Sequence, residues 1–126
     1  MKLVLVDTSV WIDYFSIGSN SEALSGLLER NRICTNDVIL SELIPFLKIK
    51  NENEVVSLLL AVEKVALNIH WDDIIRLQLL NLKNGINKVG IPDLLVVQNV
   101  MQNNLALYTL DKHFRLMQKV IKFNMY

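Results

Sequence analysis

Short aliphatic runs alternate along the chain with longer segments of helical periodicity. The runs predict five strands, at residues 3–6, 32–35, 65–69, 105–110 and, at a sheet edge, 120–123. The first run reads LVLV without polar alternation, which is typical of a strand buried on both faces. Strands that alternate with helices favour a parallel sheet with helices on both faces, so we predict an α/β fold.

The segments between these runs predict helices. They lie at about residues 8–15, 19–31, 38–49, 54–64, 72–84, 92–104 and 111–117. Ser19 to Glu22 has capping-box spacing, and Asp37 is the predicted cap of the third helix. Pro45 is expected to kink or divide that helix, whereas Pro92 suits the first position of a later one. Gly85 is a natural helix stop.

The length and apolar content indicate one soluble domain, which we place at residues 1–126. The chain has 126 residues and is 52% hydrophobic, which leaves apolar surface for a partner or a second copy. The longest uninterrupted apolar run, LLLAV at 58–62, is far shorter than a membrane span, and Asp7 interrupts the N-terminal run too early for a signal peptide. The single cysteine, Cys34, excludes an internal disulfide and favours an inert core thiol. We expect a cytoplasmic protein.

The charge balance argues against a broad basic surface. Lysine plus arginine and aspartate plus glutamate each number 13, so the net charge is zero. The segment that follows residue 111 nevertheless carries four cations and no acid: Lys112, Arg115, Lys119 and Lys122. A solvated helix face is the favoured interpretation of this segment, and an edge that faces phosphates is the alternative.

Four acids stand in unusual contexts. Asp7 and Asp111 each follow a predicted strand, and Glu42 and Asp93 lie in strongly apolar helices. Each has an ordinary structural explanation, as a helix cap, a partner of the helix dipole or a solvent-reaching side chain. Parallel sheets bind ligands beyond the carboxyl ends of their strands, so we expect the acids to act together.

Carboxylates brought together repel each other unless a cation offsets their charge. Oxygen ligands favour Mg²⁺ or Mn²⁺, and no Cys/His spacing in the sequence indicates zinc. Such an ion can polarise a phosphodiester and activate water. The sequence therefore predicts metal-dependent hydrolysis of a phosphodiester.

Four segments resemble the acidic motifs of PIN-domain ribonucleases, and in particular the VapC toxins of bacterial and archaeal toxin–antitoxin pairs. They read VDTSVWIDYF, VILSEL, IPDLLVVQ and LYTLDKHF, in the family's order and across nearly the whole chain. The resemblance implies a three-layer α/β/α sandwich and endonucleolytic cleavage of RNA with Mg²⁺ or Mn²⁺. It also implies a homodimer and a cognate antitoxin that masks the active site.

By this resemblance, the catalytic and metal-binding positions are Asp7, Glu42, Asp93 and Asp111. Hydroxyl positions near the acids match Thr8, Ser9 and Thr109, which we interpret as orienting groups. The chain departs from the pattern in two places. His113 stands where many relatives carry a further acid, and we expect an exposed histidine there; LLVVQNVMQNN replaces a run of small residues.

Two other functions stay open from sequence. A catalytically silent PIN-like binding module would lack some of the acids, and here all four are present. A phosphoacceptor receiver-type domain would carry an adjacent acidic pair after the first strand, and VLVDTS supplies only one acid. A milder variant keeps the nuclease but makes DNA its substrate.

Overall fold

A computed structural model describes residues 2–16 and 21–126. Within them the strands are β1 Val4–Val6, β2 Ile33–Thr35, β3 Glu63–Lys64, β4 Ala106–Tyr108 and β5 Asn124–Met125. The helices are α1 Thr8–Phe15, α2 Ser21–Glu29, α3 Asp37–Ile49, α4 Asn53–Ala61, α5 Trp71–Lys83, α6 Ile91–Gln102 and α7 Lys112–Gln118.

The strands form one parallel sheet in the order β3-β2-β1-β4-β5, flanked by helices as a three-layer α/β/α sandwich. This confirms the predicted fold class. The chain builds outward from β1 on one side and then crosses to β4 on the other. The crevice at the carboxyl ends of β1 and β4 is therefore the topological switch point, where ligands bind in such sheets.

The three central strands are wholly buried, which explains their unbroken apolar sequence. Helices cover them with side chains that are almost inaccessible, among them Leu24, Leu59 and Leu94. Trp11 of α1 is also fully buried and stacks on Phe15, with ring centroids 5.7 Å apart. The core thus fixes α1, and with it the residues that follow β1, against the sheet.

The strand predicted at 65–69 is wrong: the paired residues are Glu63–Lys64. Only the first residue of the run continues the ladder, because Val65 N donates to Thr35 O at 2.8 Å. Beyond it, side-chain amides of α6 replace a strand neighbour. Gln98 exchanges hydrogen bonds with the backbone of His70, and other amides bond the carbonyls of residues 66 and 68.

The last strand was also predicted too early, at 120–123 rather than at Asn124–Met125. Ile121 and Phe123 are apolar because they turn into the core from a return loop. Gln118 Nε2 donates to Phe123 O at 3.1 Å and holds this loop closed.

Pro45 does not divide α3, which runs unbroken over Asp37–Ile49. The proline lies on the exposed side of the helix, where water can satisfy the carbonyl that it leaves unbonded. The cap of this helix is Asn36 rather than Asp37, because the Asn36 side chain accepts a hydrogen bond from Ile39 N. The fourth helix ends at Ala61, three residues before the predicted end.

Helix ends elsewhere follow the sequence closely. Gly85 adopts a φ of +75° just beyond α5, as its predicted role as a stop requires. Pro92 lies in the first turn of α6. The capping box predicted from Ser19 falls partly outside the described residues. In the described part of the chain, none of the helices has the length and apolar character needed to cross a bilayer.

Candidate active site

Asp7 lies at the switch point, directly after the central strand. Its backbone N donates to Tyr108 O at 2.9 Å, so the ladder between β1 and β4 places the residue. It is only 7% exposed, which is unusual for an aspartate. A carboxylate in this position requires local partners to offset its desolvation.

Two hydroxyls supply those partners. Ser9 Oγ and Thr109 Oγ1 donate to the same carboxylate oxygen, Asp7 Oδ2, at 2.7 and 2.8 Å. Thr109 Oγ1 in turn accepts a hydrogen bond from Asp111 N at 3.0 Å. The hydroxyls therefore orient Asp7 and tie it to the segment that carries the last acid.

Asp111 lies just beyond β4 and caps α7. Its Oδ1 accepts from His113 N at 2.9 Å and lies 2.9 Å from His113 Nδ1. The imidazole is thus packed against the acid, with 38% of its side chain exposed, rather than free on the helix surface as we expected. It holds one oxygen of Asp111 in a fixed position.

Glu42 lies on the exposed side of α3, which is not apolar all round as its sequence suggested. The buried stripe of that helix contains Ile39, Leu43 and Leu47 instead. Thr8 Oγ1 donates to Glu42 Oε1 at 3.0 Å and so connects the acid to the start of α1. The hydrogen bond directs the carboxylate toward the end of β1.

Asp93 is half-buried in the first turn of α6, and the pKa of its carboxyl is affected by the other three candidate acids. Burial raises the pKa of its carboxyl, and so does the charge of Asp111. A backbone hydrogen bond from Gly90 lowers this pKa, while Asp7 and Glu42 raise it further. The four acids therefore act on one another electrostatically, which makes ionisation of Asp93 less favourable than in a free aspartate.

This donor set fits a hydrated divalent cation better than a closed metal cage. In residues 2–16 and 21–126, no three His, Cys, Asp or Glu side chains lie close enough to form a preformed metal site. Mg²⁺, however, keeps several waters and needs only one or two carboxylates. A positive charge there would relieve the repulsion that raises the Asp93 pKa.

A buried pair of amides, which was not predicted from the sequence, joins the two helices that carry Glu42 and Asp93. Asn36 Nδ2 donates to Asn99 Oδ1 at 3.0 Å, and Asn99 Nδ2 donates to Ala66 O at 3.1 Å. Both asparagines are at most 1% exposed. A polar pair, QN at 98–99, inside the otherwise apolar run LLVVQNV of α6 was the signal that could have revealed them.

Cys34 takes no part in this chemistry. Burial, followed by the charge of Glu63, raises the pKa of its thiol to about 12, so the nucleophilic thiolate is negligible at neutral pH. The predicted inert core thiol agrees with this environment.

Comparisons with known proteins point to one family. By superposition the fold resembles the VapBC2 complex of Rickettsia felis bound to a DNA fragment from its promoter: TM-score 0.77, 18% identity, 98% of this chain and 97% of that one. It also resembles DNA-bound VapBC of Salmonella typhimurium, with a TM-score of 0.76, 16% identity and coverage of 100% and 98%. Among curated proteins, none gives a significant match. The PIN-domain family model matches residues 4–120, and the chain therefore belongs to the PIN-domain family.

Proposed function

We propose that this protein is a Mg²⁺- or Mn²⁺-dependent endoribonuclease and the toxin of a VapC-type toxin–antitoxin pair in the cytoplasm. The observation that carries the proposal is the position of the half-buried Asp93 carboxyl, whose pKa is raised by burial and then by the charges of Asp111, Asp7 and Glu42. Like charges that come from elements far apart in sequence repel one another there, and a bound cation would offset that repulsion. Membership of the PIN family supports nuclease chemistry.

The chain's own residues hold the carboxylates in position. Ser9 and Thr109 fix Oδ2 of Asp7, so we expect its other oxygen to be the one that meets a ligand. Thr8 orients Glu42, and His113 orients Asp111. When bound, a divalent cation supplies a Lewis acid for the phosphate and makes water nucleophilic at neutral pH. These orienting groups limit the reorganisation that the carboxylates need for binding.

The proposed partners are an antitoxin and a second copy of the chain. Both solved structures described above are VapBC complexes, which supports an antitoxin. An exposed apolar stripe on α5, repeated at helical spacing, supports a homodimer. It consists of Trp71, Ile75, Leu79 and Leu82, each more than half exposed.

The test compares cleavage of an RNA panel, including transfer RNA, by wild type, Asp93→Asn and Asp72→Asn. Asp72 is an exposed acid at the start of α5, so its variant controls for the same chemical change away from the site. We expect cleavage by wild type and Asp72→Asn with Mg²⁺ or Mn²⁺, none with EDTA, and none by Asp93→Asn. Wild-type cleavage by a folded Asp93→Asn protein contradicts the proposed site.

A catalytically silent PIN-like binding module is the second candidate. It is favoured by the absence, within the described residues, of three acids at metal-binding distance. A folded wild type that cuts no RNA or DNA with either metal supports this alternative. Cleavage of DNA alone would keep the carboxylate chemistry and change the substrate.

A further inference from the structure

Positive charge is concentrated at one end of the sequence. Residues 112–126 contain four cations and no acid, which leaves nine cations against thirteen acids in residues 1–111. The zero net charge of the whole chain therefore conceals a negative body and a positive C-terminal segment. A polyanion approaching the protein is attracted to that segment and repelled elsewhere.

Three of the four cations of this segment form a row along α7 and its C-cap residue, Lys119. Lys112, Arg115 and Lys119 are spaced by three and four residues, so they project from one face, and all three are exposed. The opposite face buries Phe114 and Met117 against the core. No ion pair engages these cations within residues 2–16 and 21–126. The row is therefore available to an external anion.

A groove of about 640 Å³ continues the row beyond the end of α7. Its lining, as far as the chain is described, contains no acid and consists of Arg115, Gln118, Lys119, Lys122, Phe123 and Asn124. The hydrogen bond from Gln118 to Phe123 O holds the loop that closes one side. Asn124 pairs with Ala106 at the start of β4, so the groove lies at the end of α7 remote from Asp111.

We propose that this row and groove, the α7 track, bind the phosphate backbone of RNA and lead one strand to the acids at the switch point. The proposal rests on the proposed ribonuclease function. The seven residues of α7 span about 10 Å, room for two or three successive phosphates at single-strand spacing. Lysine contacts of this kind position a strand without reading its bases.

Continuity with the acids favours RNA over an acidic protein segment as the occupant. The row begins at Lys112, the residue after Asp111, so a strand that follows it enters the proposed active site. The four acids repel either anion at that end, but the cation of the proposed nuclease would offset this repulsion for the phosphodiester that it cleaves, whereas an acidic peptide has no reason to extend from the track to the acids. The negative body of the protein also leaves the track as the main attraction for a polyanionic substrate.

The test measures RNA affinity in the presence of EDTA, so that binding is separated from cleavage. The track variant carries Arg115→Gln, Lys119→Gln and Lys122→Gln, and leaves Lys112 intact because of its place beside Asp111. The matched control carries Arg30→Gln, Lys48→Gln and Lys83→Gln. These exposed cations lie just beyond α2, on α3 and at the end of α5, respectively. Both triple variants lose one arginine and two lysines.

Fluorescence anisotropy with a labelled oligoribonucleotide, over a range of salt, gives both affinity and salt dependence. We expect the track variant to bind at least about tenfold more weakly than the control. Its log–log salt slope should be shallower by about 2, because three single-strand phosphate contacts contribute about 0.7 each. With Mg²⁺, its KM should rise for long RNA and not for a dinucleotide, with kcat unchanged.

Equal affinities of the track variant and the control would overturn the α7 track. Polyglutamate serves as a second probe in the same assay. If the track variant loses binding to polyglutamate while its RNA affinity is unchanged, the track binds an acidic protein partner and the proposal is overturned. A wild type that binds RNA through the track and yet cuts nothing supports the track and counts against the nuclease. A wild type that cuts RNA with no contribution from these cations supports the nuclease alone.

Discussion

The hydroxyl of Thr109 should contribute measurably to both stability and site geometry, and Thr109→Val isolates it. Thr109 is 3% exposed, donates to Asp7 Oδ2 and accepts from Asp111 N. Valine keeps the branched shape and removes both hydrogen bonds. The buried carboxylate loses one of two hydroxyl donors, while the Asp111 N–H loses its acceptor.

The magnitude follows from the two bonds. A hydrogen bond to a charged group contributes about 1.5–3 kcal/mol and a neutral one about 0.5–1.5 kcal/mol. Ser9 Oγ remains 2.7 Å from the same carboxylate oxygen, so the lower ends of these ranges apply. We expect a loss of about 2 kcal/mol in the free energy of unfolding, or about 8 °C in Tm for a chain of this length.

The assay is thermal unfolding at neutral pH, followed by circular dichroism, with Thr35→Val as the control. Thr35 is 0% exposed, and among the described residues its hydroxyl finds no hydrogen-bond partner. The same substitution should therefore leave its stability unchanged or raise it. Equal Tm changes for the two variants would refute the reasoning, because burial alone would then determine the effect. In cleavage, Thr109→Val should cost about 10–100-fold, the usual effect of a group that orients a ligand.

Three further predictions concern other buried polar groups. The folded state raises the Asp93 pKa above the ordinary 3.8, so the ionised carboxylate destabilises the fold. Asp93→Asn should therefore raise the free energy of unfolding of the metal-free protein at pH 7 and not at pH 3, which urea unfolding would measure. Asn99→Leu leaves the Asn36 amide and Ala66 O unpaired and should cost about 3 kcal/mol, whereas exposed Asn103→Leu should cost far less in the same assay. Cys34, with its pKa of about 12, should resist a thiol-specific reagent until the protein is unfolded, and rapid native labelling would contradict its burial.

The parts of the fold that were predictable have strong local signals. Residues 3–6 are apolar at every position, as a central parallel strand requires, and α1 has the predicted bounds of Thr8–Phe15. Residues 65–69 and 120–123 are also apolar runs, but they fail as strands for different reasons. Side-chain amides of α6 bond the backbone of the first segment, whereas Ile121 and Phe123 of the second enter the core from a loop. Hydrogen bonds from α6 residues about 30 positions away hold the first segment, and local sequence carries no trace of them.

The candidate site likewise has features that the local sequence indicates and features that it does not. The four acids were chosen from sequence because each stands beside an apolar strand or in an apolar helix. The contact of His113 with Asp111 is local. An aspartate side chain often accepts a hydrogen bond from the backbone N–H two residues later, in an Asx turn, so the sequence could have indicated this contact. The bond from Thr109 to Asp7 joins residues 102 positions apart, so only the order of strands in the sheet reveals it.

In the proposed nuclease, the dispersal of the four acids along the chain would link metal availability to the lifetime of the protein. Asp7, Glu42, Asp93 and Asp111 follow or belong to different elements, so an unfolded chain presents no comparable site. A cation held by them binds the folded state alone, and at 100 times its Kd it would stabilise that state by about 2.7 kcal/mol. Proteases that act on transiently opened chains would then degrade the protein about 100-fold more slowly when free Mg²⁺ is abundant. A fall in metal concentration would then both reduce the activity and speed the proteolysis of the protein.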